Sequence, residues 1–255
     1  MFSSCGQRLL LLVAMLSSTL ADAGVTAERT RVIVHEGQRE TSLALVNQNA
    51  YPVVVQTWVD NGDLAVTPDT ASAPIMPLPP VFRLEAQQQR SVRLVTTGQV
   101  LAQDRESLYW LNVYEIPPRP TEVLDEGATR LTITLRTQLK VIYRPKGLSK
   151  MAEQAAAHVQ VTAQGRHVRL QNPTPFYISL SHAEIGEGKR SIVLDTPMLA
   201  PFSTQQLTAP ATVPSGATLR FSWLDDDGNA HDGERPIKHL LPISDVAGPP
   251  AFSQD

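Results

Sequence analysis

Few side chains in this chain could do chemistry, and their spacing argues against most of what they could do. Six histidines occur, His35, His158, His167, His182, His231 and His239. A metal site needs such residues at short, defined intervals, and these show none; His158 and His167 could meet only across a hairpin. The run Asp225-Asp226-Asp227 precedes Gly228 and clusters three carboxylates. An EF-hand loop aligned on Gly228 would put Trp223 at its first ligand position, which excludes that calcium site. Gly186-Glu187-Gly188-Lys189-Arg190-Ser191 has the residue types of a phosphate loop at the wrong spacing. The motifs G-x-S-x-G, H-E-x-x-H and the P-loop are all missing from the sequence. We therefore expect no catalytic residue, no metal and no cofactor, hence no enzyme. Without a nucleotide motif, any work must draw on binding and folding.

The stronger signal is one of backbone chemistry. From Leu131 to Arg144 the odd positions read Leu131, Ile133, Leu135, Thr137, Leu139, Val141 and Tyr143. The even positions are mostly polar, with Arg136, Gln138 and Lys140 among them. This period of two describes a strand with one apolar face. At roughly 3.4 Å per residue such a strand would reach about 48 Å, against about 17–20 Å for a usual one. One sandwich can bury about half of it. A long core strand with a frayed end is the plain reading. The sharper one leaves Leu131, Ile133 and Leu135 as an exposed apolar row. An unpaired, proline-free edge of that kind invites aggregation unless a partner adds a strand to it.

The remaining elements must position that strand. Residues 1–23 read as a secretory signal: Arg8, a short apolar stretch from Leu9 to Leu20, and Ala21-Asp22-Ala23 as cleavage site. The stretch is too short to span a bilayer, which takes roughly 20 residues. The mature chain is then expected to start at Gly24. The single cysteine, Cys5, lies inside the signal, so no disulfide can staple the mature protein. A net charge of −3, without a basic tract or a second apolar run, points to neither nucleic acid nor stable membrane insertion. Twenty prolines and short alternating segments indicate an all-β protein. Strands are expected at 31–35, 41–46, 52–59, 82–84, 90–95, 108–116 and 131–144. Their number fits an immunoglobulin-like sandwich. The proline-rich segment 74–80 reads as an edge or crossover. After a connection at 145–150, strands resume at 158–161, 167–170, 176–180, 191–194, 217–223 and 237–241. We expect two domains, 24–146 and 147–243, and a loose tail at 244–255.

Two segments carry a family resemblance. Leu101 to Pro117 joins the charged turn Asp104-Arg105-Glu106 to the aromatic strand Leu108 to Ile116 and ends at Pro117-Pro118. Leu139 to Pro145 contains Lys140 three residues before Tyr143-Arg144-Pro145. Both resemble the signature segments of the PapD-like periplasmic pilus chaperones. The resemblance covers most of the mature chain and fades after residue 240. It implies two immunoglobulin-like β-sandwich domains set at an angle with a cleft between them. It implies a periplasmic location, pilus or fimbrial subunits as partners, and delivery to an outer-membrane usher.

The resemblance also assigns roles. Subunits of this class lack their last strand, and the chaperone's long strand would complete them by donor-strand complementation, with Leu131, Ile133 and Leu135 filling the groove. Arg31 and Lys140 match the pair that binds the subunit's C-terminal carboxylate. Glu106, Arg144 and Asp226 match an internal charge network between the domains, with Asp225 and Asp227 as alternatives to Asp226. The modest loop from Pro118 to Leu131 leans towards a short-loop chaperone. When free, the apolar edge could be capped by a second copy in a homo-oligomer. A secreted tandem β-sandwich binding or adhesin protein is the alternative, and it would not need the Arg31–Lys140 pair.

Overall fold

The computed structural model describes residues 24–119, 133–148, 151–186 and 191–239. In the first half, strands form where β-branched and aromatic residues alternate with polar ones. They are β1 (Val25–Ala27), β2 (Arg31–His35), β3 (Glu40–Asn47), β4 (Val53–Asp60), β5 (Ile75–Leu78), β6 (Val81–Leu84), β7 (Gln89–Thr96), β8 (Ser107–Ile116) and β9 (Leu135–Arg144). Two sheets result, ordered β1-β3-β7-β5 and β2-β9-β8-β4-β6. Their facing sides enclose one core in which Val32, Val34, Leu43, Leu45, Leu94, Leu111 and Val141 are fully buried. On β7 the alternation is plain: Val92 and Leu94 point in, while Ser91 and Arg93 stay exposed.

The second half builds its own sandwich. Its strands are β10 (Gln160–Gln164), β11 (His167–Asn172), β12 (Ile178–Ile185), β13 (Ile192–Val193), β14 (Met198–Leu199), β15 (Ser203–Thr208), β16 (Thr218–Leu224), β17 (Ala230–Pro236) and β18 (Lys238–His239). One sheet runs β15-β11-β10-β18 and the other β13-β12-β16-β17, with β14 on β12. A separate core gathers Leu170, Phe176, Ile185, Leu199, Leu219 and Phe221. Two short 3₁₀ turns, Lys146–Leu148 and Ala152–His158, stand between the halves. The chain is thus mostly β, in two sandwiches.

Several expectations need adjusting. The strand expected from Leu131 begins its ladder at Leu135. The last pair with β8 is Glu115 with Leu135, and the same register sets Ile133 opposite Pro117, which has no amide to donate, so neither Ile133 nor Thr134 pairs within the sheet. Leu131 lies outside the described residues, as do 1–23 and the tail 244–255. The proline-rich segment contributes β5, at the edge of its sheet. Strands β15 and β17 arise where the residue pattern gave no strand signal.

Candidate functional site

The site forms where β2 and β9 of the first sandwich meet the second. β2 runs parallel to β9, and the register puts Arg31 beside Lys140. Side chains at facing positions project to the same side of a sheet, here toward the second half. Arg31 donates through Nη1 to the carbonyl of Leu224 at 3.2 Å, and Lys140 Nζ donates to Ser179 Oγ at 3.1 Å. Lys140 also lies 5.9 Å from the centre of the Trp110 ring. Arg31 is buried, and its Nε has no hydrogen-bond partner among the described residues. Neither cation has a carboxylate within ion-pair distance among the described residues. Burial lowers the Arg31 pKa against the pull of Asp226 and Asp225. Burial and the neighbouring Arg31 charge lower that of Lys140. Two half-desolvated cations side by side, with a donor left over, favour an anion between them.

β9 carries the second element of the site. Its pairing with β8 spans Leu135 to Tyr143, whereas β2 covers only Lys140 to Arg144. Residues 135–139 therefore keep one backbone edge unpaired among the described residues. The apolar side chains at that end are in solvent: Ile133 is 63% exposed and Leu135 47%. Further along, Leu139, Val141 and Tyr143 are buried in the core. One strand thus changes from core member to open edge within a few residues.

Three charged groups bridge the halves. Arg144 Nε donates to Glu106 Oε1 at 2.6 Å, and its Nη1 and Nη2 donate to the two Asp226 oxygens at 2.6 and 2.8 Å. The other Glu106 oxygen accepts the Tyr177 amide at 2.7 Å. Burial raises the Glu106 pKa in spite of Arg144. Burial alone would lower Arg144, but hydrogen bonding to Asp226 and the charges of Glu106 and Asp226 leave it raised. Of the three aspartates, Asp226 meets Arg144. Asp225 turns back into its own loop, where it accepts the amides of Asp227 and Asn229 and contacts His231 Nε2 at 2.7 Å. The bond to His231 holds the Asp225 carboxyl at about 2. Beside this bridge a cleft of about 500 Å³ opens between the halves, lined by Arg31, Arg144, Phe176, Tyr177, Trp223 and Asp226 among others.

One network escaped the sequence reading. Asp60 is buried and accepts from Trp58 Nε1 at 3.0 Å, the Gly62 amide at 2.8 Å, Asn112 Nδ2 at 2.8 Å and Arg136 Nη2 at 3.3 Å. Arg136 also donates to Asn112 Oδ1 and to the carbonyl of Leu64, each at 2.8 Å, and lies over the Trp58 ring at 4.8 Å. The turn works only with glycine at 62. Its φ is +94°, and a Cβ there would stand 2.5 Å from Trp110 Nε1. The signal available was Arg136 on the polar face of β9, across from Tyr114 of the aromatic β8, but nothing in the spacing named Asp60, one strand further on in β4, as its partner.

Two family models match this chain in succession. The pili and flagellar-assembly chaperone PapD N-terminal domain covers residues 24–149, and the pili assembly chaperone PapD C-terminal domain covers 154–235. The chain belongs to the pilus-assembly chaperone family. Among curated relatives, the chaperone protein FimB/FhaD of Bordetella pertussis is 36% identical over 221 residues, 84% of this chain and 88% of that one. Among solved structures, the CupB2 chaperone of Pseudomonas aeruginosa superposes with a TM-score of 0.72 at 30% identity, over 83% of this chain and all of that one. The SafB chaperone of Salmonella enterica, solved with the SafA pilin, gives 0.71 at 30% identity, over 86% and 98%. Among the described residues, no helix is long and apolar enough to cross a membrane.

Proposed function

We propose that this chain binds fimbrial subunits in the periplasm, completes their fold with β9, and hands them to an outer-membrane usher. The observation that carries this reading is the lane in front of β2. β2 lies beside β9 in parallel and starts at Arg31, opposite Lys140. A subunit strand laid along the free edge at 135–139 occupies the same lane. If it runs the same way as β2, its chain ends at Arg31, and its C-terminal carboxylate meets the guanidinium and the ammonium. If it ran the other way, its carboxylate would lie at the far end of the lane, and the two cations would face an uncharged stretch of backbone. Direction and terminus are therefore both selected by charge.

The affinity divides between backbone and side chains. Added ladder hydrogen bonds contribute roughly 0.5–1.5 kcal/mol each and do not depend on the subunit's sequence. Leu131, Ile133 and Leu135 would each add about 1.5–3 kcal/mol on burial, before the cost of ordering both chains. The pilin partner of SafB supports the same class of partner here. Secretion follows from residues 1–23 read as a leader, with domains at 24–146 and 147–243. The Glu106–Arg144–Asp226 bridge fixes the angle between the domains and so the cleft. The reading assigns no catalytic step. Folding of the subunit itself supplies the free energy.

Copurification of tagged protein from its native host tests the reading, with wild type and Lys140→Ala side by side and bound chains identified by mass. Wild type should retain a small secreted subunit in a one-to-one complex, and Lys140→Ala should lose it. Equal recovery by both proteins would overturn the anchor.

A further inference from the structure

Glu115 is a buried carboxylate outside every contact described so far. It is 6% exposed and lies on β8 directly across from Leu135 of β9. Its Oε2 accepts the amide of Val25 at 2.7 Å, and its Oε1 accepts Nδ2 of Asn49 at 2.7 Å. Among the described residues no Lys, Arg or His reaches it. A buried charge paired only with neutral donors is costly to keep. A carboxylate has about four lone-pair sites, so this one can still accept.

Gly24 lies against this carboxylate. It is buried, and its nitrogen donates to Asn49 Oδ1 at 3.1 Å, on the same side chain that donates to Glu115. A Cβ built on Gly24 would lie 3.4 Å from Glu115 Oε2 and 3.5 Å from Leu135 Cδ1. The family match also begins at residue 24.

We propose that cutting the leader before Gly24 completes this site: the new α-ammonium is the cation that pairs with Glu115. In the cut, a peptidase directs water at the Ala23–Gly24 bond. Hydroxyl goes to the Ala23 carbonyl carbon and hydrogen to the Gly24 nitrogen, and the amine then takes a proton from solvent. Before the cut, that nitrogen has one hydrogen, spent on Asn49. Afterwards it has three and a positive charge, so the bond to Asn49 is kept and one to Glu115 is gained. Gly24 leads into β1 of one sheet, and Glu115 belongs to the other. The pair therefore clamps the two sheets together at the point where β9 begins its ladder. Export would thus finish the donor strand's support only in the compartment where the strand is used.

The inference rests on the leader assignment and not on the anchor, so it can fail without the chaperone reading failing. The test uses exported protein whose N-terminus is verified by mass. One serine is inserted between Ala23 and Gly24, which moves the ammonium by about 3.8 Å, in both wild-type and Glu115→Gln backgrounds. The insertion should lower Tm by about 5 °C with Glu115 present and change it little with Glu115→Gln. It should also speed amide exchange at 135–138 about tenfold. Equal loss in both backgrounds, no loss in either, or a wild-type mature chain starting elsewhere would overturn the proposal. If Glu115→Gln does not fold, acylation of the α-amine in native wild type decides. Protection by at least about tenfold against a free glycyl peptide is expected, and reaction at the peptide's rate would overturn it.

Discussion

Replacing Glu106 by glutamine should destabilise the protein far more than replacing Asp226 by asparagine, although both touch the same guanidinium. The side chains of Arg144 and Glu106 are 4% and 1% exposed, while that of Asp226 is 46% exposed. Glu106→Gln removes the charge that lies with Arg144 in the dry part of the bridge. It also weakens the acceptor for the Tyr177 amide. Breaking a buried pair costs about 3–5 kcal/mol, and the remaining Asp226 contact places this case near 3. Asp226→Asn loses a solvent-screened partner, for about 1 kcal/mol or less. With a urea slope of roughly 2 kcal/mol/M, the midpoints should fall by about 1.5 M and about 0.5 M. Urea unfolding followed by tryptophan fluorescence measures both, each sandwich being fitted as its own transition where two appear. An Asp226→Asn shift equal to or larger than that of Glu106→Gln would refute the burial argument.

Three further outcomes are expected. Ile133→Ser and Leu135→Ser should each leave the free protein within about 0.5 kcal/mol of wild type, because both side chains are exposed. Each should weaken subunit binding roughly tenfold to a hundredfold, as read by titration calorimetry. Burial and Arg31 lower the Lys140 pKa from its ordinary 10.5, so the unfolded chain holds this proton more tightly than the folded one. The stability of the free protein should then rise with pH through the window below 10.5, and Lys140→Met should remove that rise in denaturant titrations across pH. Arg136→Gln should cost about 1–2 kcal/mol and speed hydrogen exchange in 61–66, because the loop loses the bond at Leu64. Arg136→Lys should not rescue it, since one ammonium cannot replace a fork that holds Asn112, Leu64 and Asp60 together.

Much of the first sandwich is legible as sequence because its strands are half buried. Arg31–His35 stands where alternation put it, and β3, β4, β7 and β8 differ from expectation by a residue or so at their ends. The hairpin between β10 and β11 follows from Gly165, whose φ of +59° lets the turn close. Edge strands are harder to read. β17 is Ala-His-Asp-Gly-Glu-Arg-Pro, a run that reads as loop, yet it pairs with β16 over seven residues. An exposed edge selects for polarity, which erases the apolar alternation that marks a strand. β15, Ser-Thr-Gln-Gln-Leu-Thr, is hidden for the same reason.

The site divides likewise. Arg31 and Lys140 were named through family resemblance, and their adjacency follows from a parallel register that spacing alone does not encode. The choice of Asp226 over its neighbours depends on a turn in which Asp225 is consumed by Asp227, Asn229 and His231. Asp60 and Glu115 carry no signal in the sequence, because the cation that meets Asp60 lies 76 residues away, at Arg136, and the amide that meets Glu115 lies 90 away, at Val25. Such pairings exist only once the sheets have closed.

The most direct measurement compares capture of one fimbrial subunit in two forms, one ending at its natural C-terminal carboxylate and one extended by two residues. If a subunit strand fills the lane in front of β2 and stops at Arg31 and Lys140, the natural form should bind at least about thirtyfold more tightly. The extension moves the carboxylate and runs into β2. Equal affinity for both forms would contradict the anchor, and with it the direction in which the subunit strand lies on β9.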